Sequence, residues 1–238
     1  MFFVLSLTFH VSGQMESFPC TAPNPELKHL FENDTLEYLY VHSCYGEGLH
    51  GLTSSFLMPS GEPPEIIEHP DDPPDDGAYV TWTCRYAPGN LQDGNTKSAW
   101  VEGTSGQGIG EVIIVPCLDL KKPAEIWAGY GKSPELFTYN SRPKMVRLVV
   151  IEAEMGGHTQ YGIVYNDLHV LKDTLALLED LNGYQDLKIP DFEKGRYIWE
   201  GSGTEMEYTY FLGLEILDVY PGSKWDDTCI SEIRNISQ

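Results

Sequence analysis

The chain has 238 residues, of which 41% are hydrophobic and 12% aromatic, and this is enough to fill the core of one large domain. It carries 36 Asp and Glu residues against 15 Lys and Arg residues, for a formal net charge of -21. This charge repels phosphate backbones and anionic lipid surfaces, so nucleic acid and membrane surfaces are not expected partners. The balance suits an exported protein that handles neutral or cationic ligands.

The first segment, residues 1–14, is a short apolar block followed by the small residues Ser12 and Gly13. Its length matches the apolar region of a signal peptide and falls short of a membrane span. No Lys or Arg precedes Lys28, so the basic start that such signals usually carry is missing. We expect a cleaved signal peptide, with a truncated start or a buried strand as the alternatives. No later stretch approaches about 18 consecutive apolar residues, so no membrane insertion is predicted.

Residues 15–48 are predicted to form an N-terminal extension that is short and partly helical. Within it, residues 24–41 carry apolar side chains at loosely helical spacing, and Pro25 suits a first helical turn. The main domain, residues 49–238, contains an acidic, proline-rich stretch at 59–77. Neither a helix nor a central strand tolerates that composition, so we expect an exposed loop, with a calcium-binding acidic run as the alternative.

From Tyr79 onward the pattern indicates short strands separated by turn residues. The two clearest, 145–154 and 207–220, combine alternating polarity with β-branched side chains. One exception is 173–181, "DTLALLEDL", whose spacing predicts a short helix. The chain is therefore predicted to be all-β, a β-sandwich or jelly roll, without the βαβ rhythm of a dinucleotide-binding domain. The other predicted strands are 79–86, 111–118, 124–130, 159–165 and 185–189.

The cysteines are widely spread, and no C-x-x-C pair indicates a zinc ribbon or a thioredoxin-type site. In an exported protein we expect two disulfides and one spare thiol, with buried free thiols as the alternative. Cys20 lies nearest the mature N-terminus and is predicted to be the unpaired one. The spacing does not determine the pairing. The cysteines are Cys20, Cys44, Cys84, Cys117 and Cys229.

The loop "DGNTKSAW", residues 93–100, is rich in oxygen-bearing side chains and begins with an Asp-Gly turn dipeptide. Calcium takes about six to eight oxygen ligands, so Asp93, Asn95 and Ser98 would need a further carboxylate. Glu232, near the C-terminus, is the candidate for that ligand. The alternative is a turn held by the hydrogen bonds of its Asp and Asn side chains.

Four distinctive blocks occur in this order: "SSFLMP" (54–59), "YAPGNLQDGNTKSAWVEGTSGQGIGE" (86–111), "AGYGKSPELFTYNSRPK" (128–144) and "VYPGSKWDDTCISEI" (219–233). Together they resemble the NADase-type glycan-binding domain, a discoidin-like module of a streptococcal NAD glycohydrolase and of many exported bacterial proteins. This module belongs to the galactose-binding-like jelly-roll group, which includes the coagulation-factor type C domains. The resemblance covers roughly residues 50–235.

The resemblance implies a jelly roll whose first and last strands come together. It also implies a structural calcium site formed by Asp93, Asn95, Ser98 and Glu232 with nearby carbonyl groups. Ser98 stands where Thr is usual in the family, and it keeps the hydroxyl group. A hydrogen-bond network without a metal is the alternative. Such a cation would stabilise loops and take no part in catalysis.

Sugar binding requires aromatic faces for stacking and fixed polar groups for the hydroxyls. Trp225 lies in the polar turn "GSKWDD" and is the best candidate for an exposed aromatic residue. Trp100, which precedes an apolar strand, is expected to anchor its loop in the core, and Trp127 is also expected to be a core residue. Arg142 has a structural alternative, since it could pair with a carboxylate such as Glu111. The predicted ligand-binding residues are Trp225, Tyr130, Lys132, Asn140, Arg142 and Asp226.

The leading hypothesis is a non-catalytic carbohydrate-binding module of a secreted or cell-envelope protein, with a glycan or glycoprotein as partner. A protein-interaction or adhesion module on the same fold is the alternative. A glycan-processing hydrolase is least favoured, because no H-E-x-x-H or G-x-S-x-G motif occurs and adjacent carboxylates such as Asp226-Asp227 usually point apart. In the streptococcal relative, NAD cleavage belongs to a separate C-terminal domain, for which we expect no room here.

Overall fold

The computed structural model describes residues 20–42, 44, 51–69, 74–199 and 202–236. The predicted signal peptide lies outside the described residues. The helices are α1 (Leu27–Asn33), α2 (Gly77–Thr83) and α3 (Pro134–Tyr139), with a 3-10 helix at Pro88–Leu91. The strands are β1 (Thr35–His42), β2 (Leu52–Thr53), β3 (Trp100–Val101), β4 (Val112–Val115), β5 (Ala124–Ala128), β6 (Arg142–His158), β7 (Gly162–Leu177), β8 (Gln185–Leu187), β9 (Arg196–Trp199), β10 (Thr204–Glu207), β11 (Thr209–Tyr220) and β12 (Cys229–Asn235).

The strands form a jelly-roll sandwich, which confirms the all-β prediction. The larger sheet has the order β1-β7-β6-β11-β4-β2, and the smaller has the order β3-β12-β5-β8. β9 and β10 form a separate hairpin. Alternate residues of β4, β6 and β11 share one buried cluster with residues of β5 and β12, because successive side chains of a strand point to opposite faces. The main core therefore lies between the two sheets.

Helix α1 belongs to the domain, because it covers the outer face of the larger sheet. Leu27 and Leu30 are fully buried in a second cluster that also contains Phe211 of β11. The ammonium group of Lys28 lies 2.5 Å from Oε1 of Glu111, whose side chain is 1% exposed. The predicted N-terminal extension thus supplies both an edge strand and a helix that screens apolar residues of the sheet from water.

The helical prediction for residues 24–41 is correct only in its first half. Helix α1 ends at Asn33, and Asp34 adopts a left-handed conformation with φ of 60°. The residues that follow, "TLEYLYVH", form β1, which pairs antiparallel with β7. Their aromatic and β-branched side chains favour a strand, and pairing with a long neighbour outweighs the loosely helical spacing.

Two further local predictions are wrong. The predicted strand at 79–86 is largely helix α2, which stands outside both sheets and is tied at Cys84 to Cys20 by a disulfide. The predicted helix at 173–181 is instead the end of β7, which pairs residue by residue with β6 as far as Leu177 opposite Met145. In both segments, tertiary contacts decide between conformations that the local spacing leaves close in energy.

The prediction of two disulfides and one spare thiol is confirmed, but the choice of the unpaired cysteine is wrong. Cys20 bonds to Cys84, and Cys44 bonds to Cys117. The unpaired cysteine is Cys229, whose side chain is fully buried on β12. Its position between neighbouring strands keeps it away from the other cysteines, whereas Cys20 reaches the end of α2.

The acidic stretch at 59–77 contains no helix before Gly77 in its described part, as its prolines predict. One isolated bridge joins Ile67 and Asp75. In the described ranges, no helix has the length and hydropathy required to cross a membrane.

Candidate functional site

A cavity of about 280 Å³ opens at the end of the sandwich that follows the C-terminal end of β11. Three structural features border it: strand β3, the C-terminal half of α3, and the loop that joins β11 to β12. The described residues that line it are Leu57, Ser60, Tyr86, Val101, Tyr130, Leu136, Asn140, Trp225 and Asp227. Three of the predicted ligand-binding residues, Trp225, Tyr130 and Asn140, therefore meet in one place.

Helix α3 holds the aromatic wall of this cavity in position. The helix is capped by Ser133, whose Oγ accepts a hydrogen bond from the Leu136 N–H at 3.2 Å. At its other end, the Tyr139 carbonyl accepts the Trp225 N–H at 2.9 Å. The Tyr139 and Trp225 rings pack edge to face with centroids 5.6 Å apart. Trp225 is consequently ordered while 38% of its surface stays exposed, as an aromatic residue that stacks on a ligand requires.

Asp227 presents a carboxylate to the cavity from a fixed backbone. Its carbonyl oxygen accepts the Ser141 N–H at 3.0 Å, which ties the loop to the residue that precedes β6. Burial raises the pKa of Asp227, and the neighbouring charge of Asp226 raises it further. Burial likewise raises the pKa of the Tyr130 hydroxyl, with a further contribution from Tyr86. The polar groups of the cavity are therefore partly desolvated, and hydrogen bonds made in such surroundings are stronger than in water.

Glu102 and Cys229 are buried titratable side chains whose charges interact with that of Asp227. Glu102 is 0% exposed; its Oε2 accepts the Thr104 N–H at 2.7 Å, while its Oε1 is buried and has no hydrogen-bond partner. Burial raises the pKa of Glu102, and Asp227 adds to this effect. Burial also raises the pKa of the Cys229 thiol well above its usual range, so this thiol is a poor nucleophile.

Arg142, a predicted ligand-binding residue, is not among the residues that line the cavity. Its guanidinium group forms two hydrogen bonds of 2.8 Å with the Asp180 carboxylate. It also donates to the carbonyl groups of Phe137 and Asn140, at 3.3 Å and 2.9 Å. The suggested pairing with Glu111 is wrong. Arg142 thus holds the C-terminal end of α3 and acts on the cavity by fixing its wall.

The remaining predicted ligand residues, Lys132 and Asp226, are exposed and are not among the residues that line the cavity. The cavity instead uses Tyr86 and Asp227, which sequence reasoning did not select. Both lie within the distinctive blocks, and Asp227 is the neighbour of a residue that was selected. Adjacent residues of an irregular loop point in different directions, so the sequence could not decide which of the two carboxylates lines the cavity.

Folding brings the four predicted calcium ligands together at a separate place. Ser98 Oγ donates to Asp93 Oδ2 at 2.5 Å, and the Asn95 N–H donates to Asp93 Oδ1 at 2.8 Å. The pKa of Glu232 is raised to about 7, mainly by burial and then by the charge of Asp93, while the N–H groups of Gly94 and Asn95 oppose the rise. Two carboxylates therefore lie close enough to disfavour each other's ionisation.

This arrangement fits a hard cation. Glu232 is 1% exposed, and its Oε2 is buried without a hydrogen-bond partner. Burial also raises the pKa of Asp93. Over the described ranges, no group of three or more His, Cys, Asp or Glu side chains is arranged to hold a metal ion. A cation would therefore combine the two carboxylates with hydroxyl, amide and carbonyl oxygens, a mixture that calcium accepts.

Two tryptophans near these sites belong to the scaffold. Trp100 is fully buried and donates its indole N–H to the Ser55 carbonyl at 2.9 Å, which confirms that it anchors its loop in the core. Trp127 is only half-buried, and it packs edge to face against Tyr184 with centroids 5.1 Å apart. Trp127 is thus a packing residue on the smaller sheet, at the boundary of the core and not fully inside it.

The sequence of residues 80–235 matches the family described as the NAD glycohydrolase translocation F5/8 type C domain. The chain belongs to this family. The F5/8 type C match begins within α2 and ends at the last residue of β12. Helix α1 and the edge strands β1 and β2 precede the matched range, although both strands belong to the larger sheet.

No curated protein matches the sequence of this F5/8 type C domain. Among solved structures, a GH29 fucosidase of Ruminococcus gnavus in complex with fucose is similar to it at a TM-score of 0.25 and 14% sequence identity. The similarity covers 64% of this chain, and the chain spans 23% of the fucosidase.

Proposed function

We propose that this F5/8 type C domain is a non-catalytic module that binds glycans in the cavity beside α3. The observation that carries the proposal is the composition of the cavity. An exposed indole ring and two phenol groups surround a fixed carboxylate and a fixed amide, contributed by Trp225, Tyr86, Tyr130, Asp227 and Asn140. Aromatic faces stack on the C–H groups of a sugar ring, and carboxylate and amide groups bind its hydroxyls.

The same cavity is poorly suited to hydrolysis. Glycoside hydrolysis commonly uses two carboxyl groups, about 5–9.5 Å apart, on either side of the bond that is cut. Among the described lining residues, Asp227 is the single carboxylate. The thiol of Cys229 is buried, and its raised pKa keeps it protonated. Both observations support recognition without catalysis.

We further propose that the domain is exported and that it holds a structural calcium ion through Asp93, Asn95, Ser98 and Glu232. Two disulfides suit an oxidising compartment such as the cell exterior or cell envelope. A bound calcium ion would neutralise the paired carboxylates, and these residues would in turn fix the loop against β12.

A glycan array tests the proposed function, with the protein in calcium and again in EDTA. Trp225→Ala is expected to weaken binding at least about tenfold, because it removes the exposed stacking face. Trp199→Ala, on the β9–β10 hairpin, is the matched control, since Trp199 is 37% exposed and Trp225 is 38% exposed. Retained binding by Trp225→Ala would reject this cavity. An array without signal, together with capture of one protein at this surface, would favour the protein-interaction alternative.

A further inference from the structure

We infer that the cavity takes a single uncharged sugar ring at the end of a glycan and rejects acidic sugars, with Asp227 as the residue that sets this preference. The inference rests on the glycan-binding function proposed above and specifies the class of sugar. It follows from the size of the cavity, from the polar groups that line it, and from the position of the nearest cations.

The size of the cavity limits the ligand to one ring. Its volume of about 280 Å³ falls just below the range of about 300–1,000 Å³ that is usual for drug-sized ligands. Helix α3 closes one side of the cavity, and the loop that carries Trp225 and Asp227 closes another. Backbone hydrogen bonds fix this loop to Tyr139 at the end of the helix and to Ser141 just after it. A terminal ring fits this space, whereas an internal part of a longer glycan would need an open groove.

The polar groups of the cavity suit the hydroxyls of a neutral sugar. Asn140 uses one Nδ2 hydrogen to donate to the Leu136 carbonyl at 2.8 Å, which leaves its Oδ1 and its second Nδ2 hydrogen for a ligand. Asp227 contributes a carboxylate, and Tyr86 and Tyr130 contribute hydroxyls. A carboxylate accepts hydrogen bonds from two neighbouring sugar hydroxyls, and it repels a sugar that carries a carboxylate or sulfate of its own.

No cation among the described lining residues offsets this repulsion, since these residues include no Lys, Arg or His. Two cations lie nearby: the Lys224 ammonium lies over the Trp225 ring, 4.3 Å from its centroid, and the charge of Arg85 acts on the Tyr130 hydroxyl. Arg142 is committed to Asp180 through two hydrogen bonds of 2.8 Å. The exposed Asp226 and the buried Glu102 add negative charge beside Asp227. The local field therefore opposes an anionic ligand, and the net charge of -21 acts in the same direction.

The test compares pairs of ligands that differ only at C6, where the hydroxymethyl group of the hexoside is replaced by the carboxylate of the uronide. Methyl hexosides of galactose, glucose and mannose are titrated into the wild-type protein in calcium, each beside the corresponding methyl uronide, and ligand-observed NMR gives the dissociation constants. We expect at least one neutral hexoside to bind, with its uronide at least about tenfold weaker. A uronide that binds as tightly as its hexoside, or more tightly, overturns the inference while the proposed glycan binding stands. If no sugar binds here and the glycan array gives no signal, both the proposed function and the inference fail.

Two neighbouring substitutions then assign the preference to a residue. Asp227→Asn keeps the shape and removes the charge, so the gap between hexoside and uronide is expected to shrink to less than about threefold. Asp226→Asn removes an exposed charge that does not line the cavity and should shrink the gap much less than Asp227→Asn does. Equal effects of the two substitutions would show that the preference comes from overall charge, and would overturn the role of Asp227. The thermal unfolding midpoint of each variant checks that it is folded. The comparison of hexosides with uronides on the wild-type protein tests the inference even if a variant does not fold.

Discussion

Glu232→Gln is predicted to make the unfolding free energy less dependent on pH. Folding raises the pKa of Glu232 from 4.5 to about 7. Between these values the folded state binds more protons at this residue than the unfolded state does, so stability falls as pH rises. At about 1.4 kcal/mol per pKa unit, the difference between 4.5 and about 7 corresponds to about 3–4 kcal/mol. Gln cannot ionise, so without calcium the stability of the variant relative to the wild type should rise by about 3–4 kcal/mol across this pH window.

Calcium should largely offset that difference. A cation that binds the ionised carboxylates of the folded state stabilises it by about 2.7 kcal/mol at a concentration of about one hundred times its dissociation constant. The wild type should therefore gain stability on addition of calcium at about pH 8, and Glu232→Gln should gain much less. Urea unfolding of both proteins, in EDTA and in calcium between about pH 5 and pH 8, measures these differences.

Glu125→Gln is the control for this experiment. Glu125 lies on the neighbouring strand β5 and forms an ion pair of 2.8 Å with Arg234. Its substitution should leave the calcium response intact. Parallel pH profiles of wild type and Glu232→Gln in EDTA would refute the reasoning, because they would show that burial of Glu232 does not oppose its ionisation. An equal gain from calcium in both proteins would place the cation elsewhere.

Three other substitutions test contacts and burial within the scaffold. Arg142→Lys should lower the unfolding free energy by about 2 kcal/mol and weaken glycan binding, because a lysine cannot make the paired hydrogen bonds with Asp180. An unchanged midpoint of urea unfolding would contradict this role of Arg142. Lys28→Met should destabilise the domain by about 1–3 kcal/mol by leaving Glu111 buried without its cation, and thermal unfolding measures the loss. Cys229→Ala should abolish labelling by a thiol reagent under unfolding conditions, while native wild-type protein should resist labelling; rapid native labelling, detected by mass spectrometry, would contradict its burial.

Much of the fold could be predicted from the sequence where burial imposes an alternating pattern. β11 and the middle of β6 carry alternating and β-branched residues, and both are central strands of the larger sheet. The spacing at 173–181 was misleading because the long β6 extends the ladder of β7. The unpaired cysteine could not be chosen from the sequence, because the order of cysteines along the chain says nothing of their distances in space.

In the candidate site, too, features set by the local sequence could be predicted, and features set by contacts between distant residues could not. Trp225 could be predicted because a tryptophan in a polar turn has few apolar neighbours to bury it. Arg142 could not be placed, since its partner Asp180 lies 38 residues away and becomes a neighbour only on folding. Which of the two carboxylates, Asp226 or Asp227, lines the cavity depends on the direction of one loop residue, and that direction is set by a hydrogen bond to Ser141.

A crystal structure of the domain soaked with a glycan that it binds tests the central claim most directly. We expect electron density for one terminal ring in the cavity, between the Trp225 indole and the Asp227 carboxylate. Density at another place, such as the cavity lined by Phe192 and Tyr210 near the beginning of β11, would contradict it.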